Sequence, residues 1–169
     1  DSEVVLSLIA RSRKKTLEER VAEAANAIKG AFAILIMSND KLIAFRDPYG
    51  FRPLCLGRLD HGWVVASETC ALDLVGAHYV RDVKPGEMIV IDDADKEPTS
   101  IMYAQHQPAH RAHCIFEFVY FARPDSIMDG ESIYMARVNM GRILARETKD
   151  IKADIVISVP DSGTPAAIG

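Results

Sequence analysis

The chain has 169 residues, 49% apolar and 26% charged, with a formal net charge of −4. That balance excludes a disordered chain and implies one or two domains with a real hydrophobic core. An acidic total without a basic block argues against a nucleic-acid surface, and apolar runs no longer than Ala31 to Met37 argue against a membrane span, so a cytoplasmic protein is expected.

Glu3 to Arg11 reads as a short apolar helix with a basic end. From Thr16 to Gly30 the helix signals agree, because Thr16 and Glu19 form a capping box, Leu17, Val21, Ala24, Ala25 and Ile28 share one face, and Gly30 closes it. The period then changes. Ala31 to Met37, Lys41 to Phe45, Leu54 to Leu56, Trp63 to Ser67 and Met88 to Ile91 are short β-rich runs separated by turn-forming spacers, a pattern that favours antiparallel hairpins. The first run is apolar on both faces and is expected between two layers, giving an α/β arrangement with a covered antiparallel sheet. Asp92 to Pro98 is an acidic loop, and Gln105 to His113 is a polar stretch with three histidines; together they read as a seam between two units. Beyond it, Ile115 to Phe121 is an apolar run expected to pack as a strand. Ile133, Ala136, Arg137, Met140, Ile143 and Leu144 mark a helix, and Ile155 to Val159 a buried strand. Asp161-Ser162-Gly163 then turns into a helix with Thr164 as N-cap and Pro165 at its first position, the way a parallel α/β domain begins. The chain starts at Asp1 without a methionine and stops inside that helix, so both ends read as cut and the second unit as incomplete.

Several stretches admit two readings. The Asp161–Gly163 turn can hold a phosphate, since free N–H donors and the helix dipole converge there, or simply connect strand to helix. His106, His110, His113 and Cys114 have the chemistry for zinc without its usual compact spacing, and otherwise read as surface histidines in a linker. Cys55, Cys70 and Cys114 are too few and too scattered for a disulfide framework, leaving reduced thiols or a metal-cluster ligand. Arg46 to Leu54 is a rigid turn whose arginines can pair with Asp47, either an anion site or a pinned hairpin corner. Glu68, Cys70 and Asp73 read as a solvated helix start rather than acid–base machinery, and Arg123-Pro124-Asp125-Ser126 as a catalytic group or a turn.

The stretches "RDPYGFRPLCLG", "VVASETCALDLVGA", "VKPGEMIVI", "CIFEFVYFARPDS", "ARVNMG" and "VPDSGTPAAIG" run in the order and near the spacing found in amidophosphoribosyltransferases, and the chain resembles that family over its whole length. The resemblance implies an α+β fold in two parts. Residues 1–107 correspond to the later portion of an N-terminal-nucleophile glutaminase with αββα layers, and residues 108–169 to a linker and the first elements of a parallel-sheet type I phosphoribosyltransferase domain. It implies a role for Asp1 in binding the α-amino group of glutamine, for Ser162 at magnesium and pyrophosphate, and for Cys114 as a ligand of a [4Fe-4S] cluster that some members carry. Glutamine and phosphoribosylpyrophosphate (PRPP) would be the substrates, Mg2+ the cofactor, purine nucleotides the feedback inhibitors and a homo-oligomer the assembly. The nucleophilic N-terminal cysteine, the arginine and Asn-Gly pair that grip glutamine, and the acidic ribose-binding loop are not in this sequence, so these residues alone are expected to be inactive. Two alternatives are a scaffold module that kept the fold without the nucleophile, and the glutaminase part of a related enzyme such as asparagine synthetase. "ARPDS" and "VPDSG" speak against the second.

Overall fold

A computed structural model describes residues 2–106 and 110–169. Asp1, expected at a substrate amine, lies outside the described residues, as does the part of the seam at 107–109. Helix α1 (Ser2–Arg11) and helix α2 (Leu17–Ala27) come first in the chain, and the capping box of α2 is present in both directions: Thr16 Oγ1 accepts from Glu19 N–H while the Glu19 carboxylate accepts from Thr16 N–H. The helix ends at Ile28, before Gly30, whose φ of 121° starts the turn into the sheet.

Strands β1 (Ala33–Met37), β2 (Leu42–Arg46), β6 (Glu87–Ile91) and β7 (Thr99–Met102) make one antiparallel sheet in the order β1-β2-β6-β7, and β3 (Cys55–Leu59), β4 (Gly62–Ala66) and β5 (His78–Asp82) a second in the order β4-β3-β5. Alternation along each strand sends one set of side chains to each face, which sorts the core into layers. Phe45, Ile43, Met88 and Val90 pack beneath α1 and α2 against Val5, Val21 and Ala25; Ala44 and Ile89 point the other way, onto Leu54, Leu56 and Val83 near the second sheet. Helix α3 (Thr69–Leu74) covers the outer face of that sheet through Leu72, against Cys55 and Ala77. The stacking is therefore helix, sheet, sheet, helix.

The expectation of a doubly covered first strand needs correcting. β1 is an edge strand with Leu35 and Met37 exposed, and β2 occupies the covered position because it lies between β1 and β6. Strands β5 and β7 and the full extent of α3 are additions to the sequence reading.

The crossing from β5 to β6 joins the two sheets, and Glu87 fixes it. Its buried carboxylate receives both Arg81 Nη1 (2.9 Å) and Nη2 (2.7 Å), the Lys84 N–H (2.6 Å) and Ser100 Oγ. Burial alone would raise its pKa, but these donors outweigh it and hold the group below its ordinary 4.5. A depressed carboxylate contributes stability above its unfolded pKa and loses it as pH falls through the folded value. Urea melts of the parent protein are expected to lose stability below about pH 4.5 as this carboxylate protonates, and Glu87→Gln to flatten that fall.

After the seam, residues 117–121 wind into a single π-helical turn, Glu117–Phe121, and not a strand. A small cluster of Ala122, Met128 and Ile133, with Phe118 against it, anchors the segment. Strands β8 (Ile127–Met128) and β9 (Glu131–Ser132) form a tight hairpin whose two turn residues, Asp129 and Gly130, both have positive φ. Helix α4 (Ile133–Glu147) follows, N-capped by Ser132, and α5 (Thr164–Ile168) packs on it. Residues 151–159 are the second correction: the expected buried strand is unpaired, with Ile155, Val156, Ile157 and Val159 exposed. A strand needs a neighbour to satisfy its backbone, and among the described residues none pairs with this run.

Candidate functional site

The candidate site is the junction between the sandwich and the segment after the seam, and it begins at the Arg46–Leu54 corner. Asp47 is fully buried and accepts backbone N–H bonds from Phe32 (3.3 Å), Tyr49 (2.9 Å) and Phe51 (3.1 Å). Neither flanking arginine pairs with it. Arg46 is buried and donates to three carbonyls, those of Arg52 (2.6 Å), Val83 (2.8 Å) and Gly50 (3.0 Å), which makes this stretch a pinned corner rather than an anion site. Gly50 takes a φ of 67° with the Arg46 guanidinium and Pro85 beside it.

The seam docks on this corner. Ala112 N–H donates to Tyr49 O and Cys114 N–H to Phe51 O, placing Cys114 at the junction, half-buried. His113 Nδ1 lies 2.6 Å from Asp129 Oδ2, tying the seam to the β8–β9 hairpin.

Arg52 then reaches from the corner to the π-turn. Its Nη1 is 2.9 Å from Glu117 Oε1, and its guanidinium sits 4.9 Å from the centre of the Phe121 ring. Burial pushes the Glu117 pKa up, with the Arg52 charge opposing. These residues line a cleft of about 570 Å³ with Ala31–Ile34, Ser67 and Glu68. Phe116, Tyr120 and Phe121 remain about half exposed, a wet surface where the sequence leads one to expect strand packing.

Glu68 is more than the solvated helix start expected. Its Oε2 accepts from Arg123 N–H (2.7 Å) and Ser126 Oγ (2.8 Å), and Cys70 Sγ lies 3.8 Å away, so α3 is tied to the Arg123–Ser126 turn. Thr69 Oγ1 adds a bond from Ile127 N–H. Within that turn Arg123 pairs with Asp125 at 2.8 Å and Ser126 is buried, which accounts for "ARPDS" as a connector. No spacing rule flags such long-range partners.

Ser162 lies on the far side of this connector. It lines a shallow cleft of about 410 Å³ with Tyr120, Phe121, Arg123, Arg137 and Asp161. The helix after it starts one residue earlier than expected, with Gly163 as N-cap and Thr164 at the first position. α5 is held close to α4: a Cβ added at Gly141 would lie 1.8 Å from Ala166 O, and one at Gly169 2.0 Å from Val138 O.

Among the described residues no group of three His, Cys, Asp or Glu is placed to hold a metal ion. The three thiols do not make a cluster site: Cys55 is buried in the sheet core with its pKa pushed up to about 12 by burial, Cys70 sits on α3, and Cys114 stands at the seam. A cluster takes four thiolates, and these three stand on separate elements and cannot supply it by themselves. Ser162 offers one hydroxyl oxygen, where a magnesium ion takes six ligands.

Residues 1–74 match the model of the glutamine amidotransferase domain. The amidophosphoribosyltransferase of Mycobacterium tuberculosis is 50% identical over the whole of this chain, which covers 31% of that protein. From end to end, the chain matches a stretch of amidophosphoribosyltransferase. The enzyme of that name from Rhizobium etli is 47% identical, again over the whole chain and 34% of its own length. The solved glutamine PRPP amidotransferase of B. subtilis, complexed with ADP and GMP, superposes with a TM-score of 0.92 at 44% identity, over 99% of this chain and 36% of that one. The chain thus spans about a third of the length of the amidophosphoribosyltransferases it matches.

Proposed function

We propose that these residues are the junction segment of an amidophosphoribosyltransferase, which converts glutamine, PRPP and water into 5-phosphoribosylamine, glutamate and pyrophosphate. The observation that carries this reading is a match at near 50% identity overall that covers the whole chain, the sandwich and the segment after the seam alike. A relative of the glutaminase alone would lose the match beyond residue 107. Residues 1–107 belong in this reading to the glutaminase and 108–169 to the linker and opening of the transferase.

Asp1 would face the ammonium of glutamine, an opposite charge for a charge-assisted hydrogen bond. Ser162 would add a hydroxyl to a pyrophosphate-bound magnesium ion, which supplies charge neutralisation for the leaving group when present. Cys114 would be one of four cluster ligands, with three thiolates from elsewhere in the protein. Ammonia freed by the glutaminase must reach the ribose without being protonated in water, and the aromatic π-turn at the junction is suited to wall that path once covered. ADP and GMP in the B. subtilis enzyme support purine nucleotides as inhibitors here. A cytoplasmic homo-oligomer completes the reading, and the 169 residues by themselves would be inactive.

The test is an assay of the full-length protein. Purified enzyme given glutamine, PRPP and Mg2+ is expected to release pyrophosphate and glutamate together, and to release no pyrophosphate when glutamine and ammonium are both withheld. Glutamate release with no change in PRPP would place the chain in another amidotransferase.

A further inference from the structure

We infer that the Arg52–Glu117 pair, braced by Arg137, is the joint that keeps the two active sites in register, and that Arg52 is a positioning residue for the transfer of nitrogen between them. The inference rests on the function proposed above and assigns residues to its coupling step.

Glu117 is 2% exposed, and its charge faces Arg52 across 2.9 Å. The Arg52 side chain stays 41% exposed, so the cost falls on the carboxylate withdrawn from water; apolar residues of similar volume generally serve stability as well, and such a pair is a better registration device than a fastener. The geometry fits that use. Arg52 meets the π-turn at both ends, Glu117 as an ion pair through Nη1 and Phe121 through the face of its guanidinium. From the opposite side Arg137, 2% exposed, donates Nε to Phe118 O and Nη2 to Ala122 O, each at 2.7 Å. The turn is therefore clamped between the sheet corner and α4.

Both clamps lead outward to rigid parts. Arg52 sits on the corner that Arg46 and Asp47 hold by backbone bonds, and its own carbonyl accepts one of them. Arg137 sits on α4, which carries α5 in backbone contact at Gly141. A shift of the corner relative to the Ser162 turn passes through these contacts, together with the Glu68 and Thr69 links to the Arg123–Ile127 stretch and the seam bonds at Tyr49 O and Phe51 O. Packed elements of this kind transmit displacement between discrete arrangements and do not absorb it by bending.

The experiment measures phosphoribosylamine formed per glutamate released by the full-length enzyme, together with synthesis driven by ammonium alone. In Arg52→Met the product-to-glutamate ratio is expected to fall roughly 3- to 30-fold while ammonium-driven synthesis stays at the wild-type rate. Glu117→Gln should move the ratio the same way, and Arg52→Lys, which keeps the charge, should recover part of it. Arg58 stacks on Trp63 at 4.6 Å, far from the π-turn in the second sheet, and Arg58→Met should leave the ratio unchanged. An unchanged ratio in Arg52→Met, or a parallel fall in ammonium-driven synthesis, overturns the inference. Should Glu117→Gln fail to fold, Arg52→Met decides by the same readings. A wild-type enzyme that makes no product from glutamine removes the functional reading and this inference with it, whereas a coupled wild type and an equally coupled Arg52→Met remove the inference alone.

Discussion

Replacing Asp47 by alanine is expected to destabilise the protein by about 3–6 kcal/mol, because three N–H donors, that of Phe32 buried and those of Tyr49 and Phe51 partly so, lose their acceptor at up to roughly 1–3 kcal/mol each, the lower end applying to the two partly buried ones. The donors are those of Phe32, Tyr49 and Phe51, so the loss strikes the entry to β1 and the corner at once. With a urea dependence of about 1–3 kcal/mol/M the unfolding midpoint should drop by about 2 M, read from the fluorescence of Trp63 on β4. Asp47→Asn keeps one carbonyl oxygen and should lose about half as much. A midpoint that stays where it was would mean that Asp47 does not hold the corner.

The second large effect is expected at Gly141. Glycine inside a helix costs about 1 kcal/mol relative to alanine, so its place in α4 asks for a reason, and the backbone of Ala166 supplies it. A methyl group there would sit 1.8 Å from a carbonyl oxygen that belongs to α5 and has no flexible end to give way. Gly141→Ala should therefore detach α5 at about 1–3 kcal/mol or more of overpacking. Hydrogen exchange at the Ala167 and Gly169 amides, which bond to Gly163 O and Pro165 O, should accelerate about 10-fold or more. Ile143→Ala, on the same helix but half exposed, should leave both amides protected. Protection unchanged in Gly141→Ala would show that α5 is not seated through this contact.

These two residues illustrate what the sequence discloses. Local chemistry was legible where it is self-contained: the Thr16–Glu19 capping box, the turn-bounded hairpins and the apolar face of α4 all need only neighbours within a few positions. Partner choice was not. β1 reads as a doubly covered strand because Leu35 and Met37 are apolar, yet it lies at an edge, and periodicity carries no information about which strand stands beside which. The aromatic run at 115–121 has strand composition and forms a π-turn, held by Arg137, which donates to Phe118 O within it and to Ala122 O just after it, a contact with a residue on another element. Residues 155–159 have the same composition and stay unpaired.

At the candidate site the sequence singled out the Arg46–Leu54 turn and the Ser162 turn but misassigned the pairing inside the first. Asp47 bonds to amides, which every residue but proline has, so its partners leave no mark in the sequence. Glu68 read only as a solvated helix start, Arg137 only as a helix marker, and Glu117 drew no reading, for a related reason: each acts across at least fifteen positions, and each looks alone like an ordinary surface charge. The quoted motifs pointed to the family. Packing explains why some of their residues are there, since "ARPDS" ties to Glu68 and the glycine of "ARVNMG" admits α5.

The most direct test of a junction that passes nitrogen between two sites is an isotope experiment on the full-length protein. Glutamine labelled with 15N in its amide is supplied with PRPP, Mg2+ and an excess of unlabelled ammonium, and the phosphoribosylamine is trapped and weighed by mass spectrometry. Product carrying 15N despite the unlabelled pool is the predicted result. Product carrying only the nitrogen of the unlabelled pool, formed while the labelled glutamine is being hydrolysed to glutamate, would contradict the account.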